Sequence, residues 1–95
     1  MFVVTLTFGT NKSRANELMQ GHNDWIRRGF EEGVFLLAGS LKPAAGGAIV
    51  AHNTSRAELE LRIQDDPFVA EEVVRADIIE IAPGRADARL SFLVA

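Results

Sequence analysis

The chain contains no cysteine, which rules out a disulfide framework, a thiolate nucleophile and a zinc-thiolate site, and fits a reducing compartment. A cytoplasmic location follows as the expectation. Also missing is a positively charged leader: the sequence opens Met1-Phe2-Val3-Val4-Thr5, and no apolar run approaches the ~18 residues needed to span a bilayer. Neither secretion nor a membrane partner is expected. Positive charge is scarce as well. Ten lysines and arginines against thirteen aspartates and glutamates give a formal net charge of -3, and the basic residues are scattered, with no stripe of interleaved aromatics to track phosphates. Nucleic acid is therefore not an expected partner. With only two histidines and no thiol, no metal site is expected either.

What remains is ordinary for a folded protein. Of the 95 residues, 47% are hydrophobic and 24% charged, enough apolar surface for one small core and too little length for two. A single domain over residues 1–95 is expected, with a core over 2–83 and an extension over 84–95. No internal repeat or low-complexity stretch interrupts it.

Local patterning then names the elements. Phe2, Val4, Leu6 and Phe8 alternate with Val3, Thr5 and Thr7, the period of two of a half-buried strand. From about Lys12 to Glu32, Ala15, Leu18, Met19, Trp25, Ile26 and Phe30 recur at spacings of three and four, predicting a long amphipathic helix closed by Gly33. Val34 to Gly39 is apolar at consecutive positions, which predicts a strand covered on both faces. A turn at Gly46-Gly47 leads to a further strand, Ala48 to His52, antiparallel to the last. Ser55 with Glu58 three residues on forms a capping box for a second helix that uses Leu59 and Ile63. Because proline disfavours helical geometry in the residue before it, that helix should end by about Asp65. Asp66 and Pro67 then open a short helical segment through about Val73 as N-cap and first helical residue. Ala76 to Pro83 reads as a fourth strand and Ala88 to Val94 as a fifth.

The order β-α-β-β-α-β predicts an α+β fold, a ferredoxin-like sandwich with both helices on one face of an antiparallel sheet and an extra C-terminal strand. Val3, Val34 or Phe35, Ile49 and Ile78 suggest that the opposite face is apolar too, an exposure that a homodimer burying sheet on sheet would remove.

One histidine stands out. His22 lies on the apolar stripe of the first helix, between Leu18 and Met19 on one side and Trp25 and Ile26 on the other. An imidazole facing a core needs a partner, and the Asp66 turn can supply one. Such a pair allows two readings: a proton-transfer dyad, or a structural bond tying helix to loop. His52, at a strand end, reads as solvent-exposed.

The combination of His22, Gly33 at the helix end, Phe35-Leu36-Leu37-Ala38-Gly39 and the later Asp65-Asp66-Pro67-Phe68-Val69 resembles the YciI-like (YCII-related) family over roughly Phe2 to Pro83. The resemblance implies a ferredoxin-like fold that dimerises into an α/β barrel, with an active-site histidine and aspartate that fall on His22 and Asp66. At least one member resembles a dehydrochlorinase acting on a chlorinated hydroxyquinone. The sequence departs from the family twice. Met19 stands where many members carry arginine, and Ser40 where many carry proline, which opens space for a hydroxyl.

A small-molecule ligand is thus expected, with catalytic His22 and Asp66 and a pocket touched by Ser40, Trp25 and Phe68. Read alone, Trp25 and Phe68 are most simply core residues and Ser40 a turn or pocket-lining hydroxyl rather than a nucleophile. Elimination or isomerisation by acid/base catalysis needs no cofactor, and none is expected. The other functional class is a non-catalytic ligand-binding or accessory dimer. A pocket closed by Trp25 and Phe68 with the His22 imidazole at its wall favours the enzyme; a fully packed interior favours the module.

Overall fold

A computed structural model describes residues 1–94. The alternating N-terminus forms β1, Phe2–Phe8, with Phe2, Val4 and Leu6 buried. A single 3-10 turn at Lys12–Arg14 leads into α1, Ala15–Glu31, so the first turn of the expected helix is wound more tightly than the rest. Gly33 ends it in the left-handed region, φ 75°, with Val34 N–H donating back to Gly29 C=O at 2.9 Å, a conformation that favours glycine.

Next come β2, Phe35–Leu41, and β3, Gly46–Ala51. Then α2, Arg56–Gln64, starts on Ser55: its hydroxyl accepts from Glu58 N–H while the Glu58 carboxylate accepts from Ser55 N–H. The short α3, Pro67–Ala70, precedes β4, Val74–Glu80. α3 is briefer and β4 begins earlier than the sequence suggests, because Val73 and Val74 are buried as the chain enters the sheet.

The strands form one antiparallel sheet in the order β2-β3-β1-β4, the ferredoxin-like arrangement. Pairing fixes which side chains share a face. Leu6 pairs with Gly47 and Ala76, and Val4 with Ile49 and Ile78, so these project toward the helices, where Trp25, Leu59, Ile63 and Phe68 complete the core.

Three expectations are corrected. Ile49, Ile78 and Phe35 belong to the helix-side face; the outer face instead carries Leu37, Val50, Val3 and Ile79 in one row across all four strands. A register shift between Phe35 and Leu37 breaks the strict alternation of β2 and puts these two side chains on opposite faces, which a consecutive apolar run does not signal. β2 is also not covered on both faces: as the edge strand it leaves Leu37 57% exposed. Finally, the extra C-terminal strand does not form. Ala88–Leu93 is a 3-10 segment whose N-cap, Asp87, accepts from Arg89 N–H at 2.9 Å and from Arg89 Nε at 3.0 Å. Those bonds, the guanidinium's foremost, hold the Asp87 carboxyl below the usual carboxylate range. This local closure takes the place of extended pairing along the alternating segment.

Candidate active site

Along α1, Met19, His22, Asn23 and Ile26 fall at i, i+3, i+4 and i+7 and so share one face. Immediately before His22, Gly21 faces α3. A Cβ there would stand 3.1 Å from Pro67 Cγ, so the missing side chain is what lets α3 approach α1 this closely.

α3 brings the carboxylate. Asp66 is the N-cap, and its Oδ1 accepts from Phe68 N–H at 3.0 Å. The same oxygen lies 2.8 Å from His22 Nδ1. Since a carboxylate only accepts, Nδ1 carries the proton of this bond. Asp66 is fully buried and the His22 side chain 11% exposed. The imidazole also stacks on Phe68, ring centroids 3.9 Å apart and planes within 5°, so two independent contacts set its orientation. Nε2 has no protein partner among the described residues, nor is it among the buried unpartnered atoms; it reaches open space. Asp66 Oδ2 is buried without a partner among the described residues.

His22 lines a pocket of about 330 Å³ between α1 and the β1-β2-β3 part of the sheet, with Phe68, Asn23, Met19 and Ile26 as further walls. It exists because the sheet side opposite the helix is nearly bare. The helix-facing row there is Ser40, Gly47 and Leu6, and a Cβ on Gly47 would meet only Gly39 C=O, at 3.2 Å. Ser40 and the backbone of Gly46-Gly47 line the floor.

The structure therefore brings His22, Asp66, Phe68 and Ser40 to one site. It does not bring Trp25 there. Trp25 is 2% exposed, donates Nε1–H to Arg62 C=O at 2.8 Å and packs edge-on to Phe35 at 5.2 Å; the surface cleft it touches is another one, with Arg28, Glu32 and Arg62. The expectation that Trp25 contacts the ligand is corrected accordingly: it supports the His22 ring from behind, centroids 6.1 Å apart. Nearby, Arg62 bridges to Glu32 at 2.6 Å and holds that carboxyl below its usual range. His52 is half-buried, with Phe92 edge-on at 5.5 Å. Among the described residues no three His, Asp or Glu side chains cluster to hold a metal ion.

Asn23 and Gly47 were not picked out by sequence reading. The helical spacing that placed His22 inward also places Asn23 beside it, and Gly46-Gly47, read as a turn, instead starts β3.

Residues 1–82 match the model of the YCII-related domain. The chain belongs to the YCII-related domain family. Among solved structures, this family member is similar to a 5-chloro-2-hydroxyhydroquinone dehydrochlorinase from Burkholderia phenoliruptrix AC1100 in complex with 2,5-dihydroxybenzoquinone. The TM-score is 0.69 over 88% of this chain and 96% of that one, at 11% sequence identity. At an identity that low, the likeness establishes a shared fold alone. None of the curated proteins compared matches this YCII-related chain.

Proposed function

We propose that this protein is a small-molecule enzyme in which His22 Nε2 exchanges a proton with a ligand in the adjoining pocket while Asp66 orients the ring. The observation that carries this reading is the free Nε2 at a preformed pocket, with Nδ1 tied to a buried carboxylate. Imidazole gains and loses a proton near neutrality, and positioned acid/base groups contribute ~10²- to 10⁴-fold. In an elimination, the Nε2 lone pair takes the substrate proton, the electron pair of the broken bond forms the new double bond, and the leaving anion departs. The imidazolium, stabilised by Asp66, then returns its proton to water. The chain's own residues complete that cycle, so the proposed reaction is cofactor-free.

The pair is a poor device for stability alone. A fully buried carboxylate with one oxygen unpartnered loses hydration that a single shared acceptor does not restore, a cost of about 1 to 3 kcal/mol. Phe68 is the proposed ring-stacking wall and Ser40 the proposed floor hydroxyl. By analogy with the dehydrochlorinase of the same fold, halogenated hydroxylated rings are the first substrates to try.

We further propose a cytoplasmic homodimer of single-domain chains that buries the Leu37-Val50-Val3-Ile79 row against a second copy. No helix among the described residues is long and apolar enough to cross a membrane.

Chloride release from 5-chloro-2-hydroxyhydroquinone, with urea unfolding alongside, tests the dyad. His22→Gln should abolish turnover, a loss of about 10²-fold or more, while the variant stays folded; Asp66→Asn should lower turnover by a smaller factor. Strong destabilisation of both variants with ligand binding unchanged would make the pair structural and retire the enzyme reading.

A further inference from the structure

We infer that the pocket selects ligands carrying a negative charge, held at its mouth by the chain's two lysines, Lys12 and Lys42. This rests on the reading of the pocket as a substrate site. Lys12 and Lys42 are the only lysines in the sequence, and the fold brings both to the pocket end of the sheet. Lys12 lies in the 3-10 turn that follows β1, with Nζ 4.6 Å from the centroid of Phe8, itself a pocket wall. Lys42 lies in the β2-β3 turn, between the lining residues Ser40 and Gly46. Ala45 N–H donates to Leu41 C=O at 3.1 Å to close that turn, and Phe8 N–H donates to Ala45 C=O at 3.4 Å, so the two lysine-bearing segments flank one opening.

Neither lysine forms an ion pair among the described residues, whereas six of the eight arginines do: Arg14, Arg27, Arg56, Arg62, Arg75 and Arg89. The two unpaired arginines lie away from the pocket lining, Arg28 against the Trp25 cleft and Arg85 beyond the far end of β4. Two carboxylates do sit near this end of the sheet. Glu71 is taken by Arg14 at 2.9 Å; Glu72, whose C=O accepts from Asn11 N–H, pairs with neither lysine. Inside the pocket the walls are mostly apolar, so a ligand's charged substituent is best placed at the rim, where ammonium groups meet it without being desolvated. The fitting chemistry is a monocyclic organic acid: its ring lies on the bare floor beside His22 and its ionised oxygen points out toward Lys12 and Lys42.

Binding of matched ligands tests this. The anionic 2,5-dihydroxybenzoquinone and its neutral dimethoxy analogue would be titrated into the full chain while the His22 ring resonances are followed. The anion should bind more tightly. Lys12→Gln and Lys42→Gln should each weaken it by about two- to five-fold, with no change for the neutral ring, and the preference should shrink as salt rises from about 20 mM to about 500 mM. Arg85→Gln serves as a remote control and should change nothing. Equal affinity for both ligands, or anion affinity unmoved by both lysine variants, would overturn the charge selection and leave the site reading standing. Failure of both ligands to shift His22 would overturn the site reading and the charge selection together.

Discussion

At the scale of single residues, the site depends on side chains that are absent as much as on those present. Gly21 lets Pro67 close on α1 and so delivers Asp66 to His22. Gly47 keeps the sheet floor empty where Leu6 and Ser40 are its neighbours in the row. Its substitution is therefore a test of the pocket that leaves the dyad alone. Gly47→Val should fill part of the cavity and weaken ring ligands by about ten-fold or more, as a misplaced methyl group in a close-packed site does. Unchanged affinity, measured by ligand titration, would put the binding site elsewhere. His22 and Asp66 were legible from the sequence because burial makes an imidazole need a partner and an Asp-Pro pair marks an N-cap. Trp25 was legible only as an inward-facing aromatic. Nothing in the sequence shows that its N–H is spent on Arg62 C=O rather than on a ligand.

At the scale of elements, the N-caps of α2 and α3 followed from local chemistry and strand faces did not. Ser55 and Glu58 form the expected reciprocal cap, so Ser55→Ala should cost about 1 kcal/mol of stability. Urea unfolding should register that loss with little change in ligand affinity, since α2 contributes nothing to the pocket lining. A loss of binding out of proportion to stability would mean that α2 positions the site more tightly than its contacts indicate. Strand faces are harder, because a single register shift moves every later side chain to the other face. The irregularity between Phe35 and Leu37 does this in β2, and no residue type in Val34 to Gly39 announces it. The tail erred in the opposite direction. Its alternation is real, but the segment closes locally on the Asp87 cap as a 3-10 turn instead of pairing with a sheet edge.

At the scale of the molecule, the ferredoxin-like order was legible from the sequence of strand and helix signals, while the assembly is argued from the outer face. Leu37 is 57% and Ile79 53% exposed in one row with Val3 and Val50, a patch of apolar side chains larger than scattered surface residues need explaining. A dimer through this face should bury at least about 1,000 Å². Ile79→Glu should then yield a monomer by light scattering at micromolar concentration, with the chain still folded, because Ile79 takes no part in the helix-side core. A wild-type monomer mass, or a dimer indifferent to Ile79→Glu, would remove this face from the account.

The central claim is that His22 offers an unprotonated Nε2 to the pocket while Nδ1–H is held by Asp66. Nitrogen-15 NMR of the imidazole reads both atoms at once. The account predicts that the neutral imidazole carries its proton on Nδ1, that this bonded proton is lost in Asp66→Asn, and that the Nε2 resonance shifts when a ring ligand binds. A proton resident on Nε2, or an Nε2 signal indifferent to every ligand that binds the protein, would contradict it.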